Sequence, residues 1–166
     1  MGKKEKYDIE KDLREWFRDA GRVVIVGVGN PIRMDDFVGV KIVRDLRGKV
    51  DSERVMLIEA ETIPENHIQE VIDYKPTHIL IIDAAIMGLK AGAARLISHK
   101  QLEAFRLFST HMLPLRLFCE YLANTTRSKI ALLAFEPKQT DFGEPLSVEI
   151  QESAVNAVVE LMSILH

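Results

Sequence analysis

The sequence has little cysteine, no long apolar run and no repeated or low-complexity tract. With a single cysteine in 166 residues, Cys119, the chain can form neither an intramolecular disulfide nor a cysteine metal cluster. No apolar run approaches the roughly 20 residues that cross a bilayer, and no signal-peptide apolar region follows the N-terminal lysines. We therefore expect a cytoplasmic protein that does not insert into a membrane.

Long blocks of like charge are also missing. Lysine and arginine number 22 and aspartate and glutamate 25, which gives a formal net charge of −3. The chain thus lacks the excess of basic residues that is typical of nucleic-acid-binding proteins, so we expect no nucleic-acid partner. The length, with 47% apolar residues, indicates a single domain over residues 1–166 with a substantial core.

Apolar runs typical of strands alternate with helical patterns along the chain. An amphipathic helix is predicted over residues 7–20, with Gly21 as its stop, and we interpret it as an appendage to the core. Further helices are predicted at about 37–47, from Pro64, at about 111–124, and at about 148–165 with Ser147 as N-cap. The strand-like runs between them are RVVIVGV, RVMLIEA, THILIIDAA, AARLISH and KIALLAFEP.

This alternation predicts an α/β fold, a three-layer α/β/α sandwich around a sheet of about five strands. Continuous apolar runs are typical of strands covered on both faces, so we expect a mostly parallel sheet and leave a mixed one open. Such folds place ligands outside the carboxyl ends of their strands, at a topological switch point. Candidate functional residues are therefore sought where strands end.

The first strand leads into an unusual turn, in the stretch VVIVGVGNPIRMDDFVGV over residues 23–40. A dinucleotide-binding fingerprint needs a third glycine where Ile32 stands, and Asp35 and Asp36 would repel a phosphate. A purely structural tight turn is another possibility. We expect Gly29 and Asn30 to shape this loop and Asn30 to hydrogen-bond the substrate backbone, so that both belong to the substrate-binding region.

Two more side chains join Asp36 as candidates for one site. Asp83 ends a very apolar strand, where it either caps a loop or meets a cation. His111 is predicted near the first residue of a helix, where the helix dipole favours the neutral imidazole that binds metals; an incidental surface histidine is the alternative. The topology brings all three to one edge, and two carboxylates with one imidazole suit a divalent transition metal.

Several neighbouring residues receive structural interpretations. Asp35 is interpreted as a helix N-cap, with a supporting role behind the site as the alternative. Cys119 lies in the apolar stretch LRLFCEYL, where burial disfavours the thiolate, so we expect a core position rather than a nucleophile. The remaining histidines are interpreted as structural or solvent-facing; they are His67, His78, His99 and His166.

With these residues assembled, the sequence resembles the nickel-iron hydrogenase maturation endopeptidases, most closely the HycI type. The resemblance runs from about Arg22 to Leu165 and leaves out the N-terminal helix. Two positions depart from the family pattern: Phe37 stands where a glycine is frequent, and Glu59-Ala60-Glu61 replaces a glycine-containing acidic segment. The matching stretches are GVGNPIRMDDFVGV, ETIPENHI, KPTHILIIDAAIMGLKAG, STHMLPL and EPKQTDFGEPLS.

The resemblance implies an endopeptidase that removes a C-terminal extension from a nickel-loaded hydrogenase large-subunit precursor. Its metal-contacting and catalytic set falls on Asp36, Asp83 and His111, the residues that spacing also selects. Nickel would be supplied by the precursor, and we expect that another divalent ion can occupy the site in vitro. One aspartate is an alternative general base for the attacking water.

Two other functional classes remain open. The same three ligands would serve a non-catalytic nickel checkpoint or chaperone that holds the precursor without cutting it. A nucleotide-dependent oxidoreductase or transferase would instead use the glycine turn. Cleavage of a nickel-loaded precursor separates the first alternative from an endopeptidase.

Overall fold

The computed structural model describes residues 8–102, 112–143 and 145–166. Five strands form the sheet of this part of the chain: β1 (Val23–Val28), β2 (Val55–Glu61), β3 (His78–Ala84), β4 (Ala94–Ser98) and β5 (Lys129–Phe135). The α-helices are α1 (Ile9–Trp16), α2 (Val38–Leu46), α3 (Ile68–Tyr74), α4 (His99–Leu102), α5 (Met112–Thr125) and α6 (Val148–Ile164). Short 3-10 helices over Met34–Phe37 and Pro64–His67 lead into α2 and α3.

The strands lie in the order β2-β1-β3-β5-β4. Strands β2, β1, β3 and β5 pair in parallel, whereas β4 is antiparallel to β5. The sheet is thus mixed and mostly parallel, and the predicted fold class is confirmed. Since the chain goes from β1 to one side for β2 and to the other side for β3, the topological switch point lies between β1 and β3.

Helices cover both faces of the sheet, and successive strand residues point to opposite faces. On one face, Val23 and Ile25 belong to a buried cluster with side chains of α1, α2 and α6. On the other face, Val24 and Val26 pack in a second buried cluster with side chains of α3 and α5. This arrangement is the predicted three-layer sandwich.

Helix α1 differs from the predicted N-terminal helix in its end and in its packing. It ends at Trp16 rather than at Gly21, because the chain turns at Phe17 and Asp19 has a positive φ of 64°. It is also part of the core rather than an appendage. The side chains of Leu13 and Phe17 are 0% and 5% exposed and pack in the same cluster as β1 and α2.

The other predicted elements agree closely with the observed ones. The strand-like runs all form strands, and the predicted helix at 148–165 is α6, which begins after Ser147. Within the described residues, none of the helices combines the length and apolar character needed to cross a bilayer.

Candidate active site

Asp36 lies on the 3-10 helix that follows β1. Its side chain is 5% exposed, and its Oδ2 accepts a hydrogen bond from the Asn30 backbone N–H at 2.9 Å. This bond folds the loop back on itself, since Asn30 is only two residues beyond the end of β1. The carboxylate of Asp36 is therefore held at the carboxyl end of the sheet.

Asp83 is the penultimate residue of β3 and is 1% exposed. Its Oδ1 accepts a hydrogen bond from the Ala84 N–H at 2.8 Å. In the parallel register Gly27 of β1 pairs with Ile82, so Asp83 lies one residue beyond that pair at the β1 and β3 strand ends. The structure thus places Asp36 and Asp83 at the same edge, beside the switch point.

Two glycines allow the backbone to close around this edge. Gly29 has φ +148°, and a Cβ atom on it would lie 1.9 Å from the carbonyl oxygen of Asp36. Gly39 on α2 has no room for a side chain either, because its Cβ would lie 2.0 Å from the carbonyl oxygen of Ile82 and 2.4 Å from that of Val28. Glycine is required at both positions by close backbone approach.

Asn30 shapes the loop, as predicted. Its side-chain Oδ1 accepts from the Ile32 N–H at 3.1 Å, and its carbonyl oxygen accepts from the Arg33 N–H at 3.1 Å. Asparagine commonly forms such side-chain turns. The contact that we predict between Asn30 and a substrate backbone remains a prediction.

Asp35 does not cap its own helix, which corrects the favoured interpretation. The 3-10 helix begins after Arg33 without a side-chain cap. The fully buried carboxylate instead reaches the segment after β5: Oδ2 accepts from the N–H groups of Lys138 and Gln139 and from the Ser147 hydroxyl, and Oδ1 accepts from the Ser147 N–H. Asp35 therefore connects the loop carrying Asp36 to the start of α6.

Glu136 is a buried acidic residue that the sequence analysis missed. It directly follows β5, is 6% exposed, and its carboxylate accepts from the N–H groups of Met87 at 2.7 Å and Leu89 at 3.1 Å. It thereby orders the loop that follows Asp83. In the run LLAFE an acidic residue follows apolar strand residues, as Asp83 does in the run LIID. The same search for an acidic residue at a strand end would therefore have found Glu136.

The third predicted ligand, His111, lies outside the described residues. Within the ranges 8–102, 112–143 and 145–166, no group of three histidine, cysteine, aspartate or glutamate side chains is arranged to hold a metal ion. The structure therefore brings Asp36 and Asp83 to one edge, and the position of the imidazole relative to them stays a prediction.

The other titratable candidates are structural. His78 is 3% exposed and lies against Trp16 and Phe17 of the α1 segment, with ring nitrogens 3.1 Å from the Trp16 carbonyl oxygen and 2.8 Å from the Thr77 hydroxyl. Burial, with a contribution from nearby Lys129, lowers the pKa of His78. Burial raises the pKa of the Cys119 thiol to about 12, as expected for a core cysteine.

Comparison with known proteins identifies the family. The family model for hydrogenase maturation protease (HycI) matches residues 40–164. A Methanocaldococcus jannaschii protein provisionally named a hydrogenase maturation protease is 33% identical over 160 residues, covering 90% of this chain and 94% of its own. The chain belongs to the hydrogenase maturation protease family. It is therefore an endopeptidase, and the predicted resemblance is confirmed.

Other members of the hydrogenase maturation protease family agree with this assignment. The crystal structure of the HycI protease from Thermococcus kodakarensis KOD1 superimposes with a TM-score of 0.85 at 30% identity, covering 93% of this chain and 98% of that one. The hydrogenase 3 maturation protease of Escherichia coli K12 is 27% identical over 130 residues, covering 78% of this chain and 82% of its own. The family-model match contains Asp83 and His111 but begins after Asp36.

The two departures from the family pattern have structural explanations. Phe37 packs its ring 5.3 Å from the Arg44 guanidinium and lines a groove beside the site. Glu59 accepts hydrogen bonds from Arg44 at 2.9 Å and Arg47 at 2.9 and 3.0 Å. Although partial burial opposes it, these two arginines lower the pKa of Glu59. Both residues thus contact the exposed side of α2.

Proposed function

We propose that this protease removes the C-terminal extension of a nickel-loaded hydrogenase large-subunit precursor in the cytoplasm. The observation that supports this most strongly is the pair of buried carboxylates, Asp36 and Asp83, at the β1 and β3 strand ends of a maturation-protease fold. A buried acidic side chain is costly unless it is hydrogen-bonded or meets a cation. The Asn30 N–H donates to Asp36 and the Ala84 N–H donates to Asp83.

In this proposal the nickel belongs to the precursor, and the protease completes its coordination shell. Asp36, Asp83 and His111 would contribute two carboxylates and one imidazole, a donor set that suits divalent transition metals. Only a precursor that already holds nickel would then fix its tail across the strand ends. The three residues would thereby test the substrate for correct loading before the tail is cut.

Hydrolysis requires a water oxygen to bond to the scissile carbonyl carbon while the carbon–nitrogen bond breaks. As the alternative to nickel ligation by both aspartates, one of them accepts the proton of the attacking water, and this proton reaches the departing amine. The fixed backbone around Gly29 and Asn30 would hold the peptide in place beside the carboxylates. General-base assistance of this kind is worth about 10²–10⁴-fold in rate.

The decisive experiment is mass spectrometry of the cognate precursor after incubation with the protease, with and without nickel loading. We expect loss of the tail from the nickel-loaded precursor alone. Binding of the loaded precursor without any loss of mass would contradict the proposal and favour the nickel checkpoint or chaperone.

Substitution of the three proposed ligands tests the assignment of roles. Asp36→Ala, Asp83→Ala and His111→Ala should each reduce processing by about 10²–10⁴-fold while the protein remains folded. Asp73→Ala on α3 is the matched control and should process at the wild-type rate. A folded Asp83→Ala variant with full activity would overturn the assignment.

A further inference from the structure

A groove of about 370 Å³ lies directly beside the loop that carries Asp36. Helices α2 and α6 form its walls, and the loops after β1 and β5 close one end with Pro31, Met34 and Gly143. Phe37, the residue after Asp36, also lines it. Because most of its lining residues are apolar, we call this feature the apolar groove.

The polar side chains of the apolar groove already bind one another or the backbone. Lys41 and Asp45 form an ion pair, with nitrogen–oxygen distances of 2.6 and 2.7 Å. The side-chain amide of Gln151 donates to the Leu146 carbonyl oxygen at 2.9 Å. Because these groups are satisfied and the two charges cancel, the groove favours an uncharged, apolar occupant.

Three apolar side chains that are more than half exposed lie in the segments that line the apolar groove, two of them next to the lining residues Pro31 and Gly143 in the chain. Ile32, Phe142 and Val155 are 55%, 75% and 61% exposed, and Val155 also lines the groove. Single exposed apolar residues are common, but apolar side chains that adjoin an apolar groove indicate an interaction surface. These three residues are here called the rim.

The two loops that carry the rim are fixed to each other. The Gly143 N–H donates to the Ile32 carbonyl oxygen at 2.8 Å, and the Met34 N–H donates to the Gly143 carbonyl oxygen at 3.0 Å. The Arg33 guanidinium lies 5.1 Å from the Phe142 ring centroid. A binding surface on such preorganised loops loses less conformational entropy when a partner binds.

The exposed apolar residues in the connections of the described chain lie at one edge of the sheet. Each loop after a parallel strand exposes one: Ile32 after β1, Ile63 after β2, Ile86 after β3 and Phe142 after β5. At the opposite edge, the described connections 47–54, 75–77 and 126–128 expose no large apolar side chain. The apolar surface is therefore on the side of Asp36 and Asp83.

We propose that the apolar groove and its rim bind an apolar segment of the precursor polypeptide next to the bond that is cut. This inference rests on the proposed function. The groove lining includes Phe37, which directly follows Asp36. Since the proposed substrate at Asp36 is a polypeptide, the segment that reaches the groove belongs to the same polypeptide. An extended chain advances about 3.3 Å per residue, so a substrate crossing the carboxylates reaches the groove within a few residues.

The test compares the double variant Ile32→Ser/Phe142→Ser with the wild type on the nickel-loaded precursor. We expect the KM for cleavage to rise about tenfold or more while kcat changes less than twofold. The Kd for the precursor, measured by isothermal titration calorimetry, should rise by the same factor, because the variant loses residues that anchor the interface. Val155→Lys, which places a charge in the groove, should have the same effect. Tyr121→Ser on α5 is the matched control, an aromatic residue 53% exposed on the other face of the sheet, and should leave both constants unchanged.

Unchanged KM and Kd in both rim variants would overturn the inference while leaving the proposed function in place. If the wild type binds the precursor but does not cut it, the proposed function fails, and the ratio of Kd values still tests the groove. Failure of the wild type to bind the precursor overturns both. A wild-type dimer that the variants dissociate, seen by light scattering, would identify a second copy as the occupant and also contradict the inference.

Discussion

At the scale of single residues, adjacent aspartates have different structural tasks. Asp36 turns toward the end of β1 and accepts from the Asn30 N–H, whereas Asp35 accepts four hydrogen bonds from the segment between β5 and α6. Neighbouring positions on a tight helix point in different directions, so one side chain can support the fold while the next faces the strand ends. The role of Asp35 is to position the loop, not to bind metal.

This role predicts a large loss of stability for Asp35→Asn. An asparagine has one acceptor oxygen and presents an NH₂ group on the other side, so at least one of the donors that bind the Asp35 carboxylate loses its partner. We expect the free energy of unfolding to fall by about 3 kcal/mol, measured by urea denaturation. Ser147→Ala removes one of the four bonds and should cost only about 1 kcal/mol. A loss in Asp35→Asn no greater than that in Ser147→Ala would contradict the prediction.

At the scale of elements, the site depends on how closely α2 packs onto the strand ends. Gly39 is the contact point, because the carbonyl oxygens of Ile82 and Val28 occupy the space where a Cβ would stand. The same approach places the 3-10 helix with Asp36 beside the end of β3, where Asp83 is the penultimate residue. Gly39 therefore allows α2 to lie close to the ends of the strands that precede Asp36 and carry Asp83.

Gly39→Ala should accordingly weaken both the fold and the site. The added methyl group must displace backbone rather than a flexible side chain, and we expect a loss of about 3 kcal/mol in the free energy of unfolding. Gly21→Ala is the control, since its Cβ would meet a side-chain methyl of Thr77 at 3.2 Å. Thermal unfolding of the two variants measures the difference, and equal melting temperatures would refute the packing argument.

At the scale of the whole molecule, opposite edges of the sheet carry different kinds of residues. The carboxyl edge carries the acidic residues and the apolar rim. The amino edge carries His78 at the start of β3, against which the α1 segment packs through Trp16 and Phe17. Changes at the amino edge are therefore expected to alter stability rather than substrate binding.

The pH dependence of global stability tests this division. Burial lowers the pKa of His78, so the folded protein binds fewer protons than the unfolded chain once the pH falls below about 6.5. Stability contributed by neutral His78 is present above that pH and is lost as the pH falls toward the lowered folded value. Urea denaturation between pH 7.5 and 5 should show a steeper loss for the wild type than for His78→Gln. Parallel curves would disprove the contribution.

Much of this architecture could be predicted from the sequence. Apolar runs such as THILIIDAA predict strands because only residues covered on both faces can be so uniformly apolar. The motif around Asp36 and the placement of Asp83 at a strand end predict one shared edge, which the structure confirms for these two residues. The predicted end of the first helix, at Gly21, was wrong because the chain already turns at Phe17, and the Phe17 side chain packs into the core.

The alternation of elements, the fold class and the strand ends where acidic residues meet can thus be predicted from the chain alone, because they follow from local periodicity and from the topology of parallel strands. The structural roles of Asp35 and Glu136 follow instead from contacts between distant segments. The Ser147 N–H donates to Asp35 and the Met87 N–H donates to Glu136, and these bonds join residues 112 and 49 positions apart. Such partners are set by packing in space, and no local pattern in the chain specifies them.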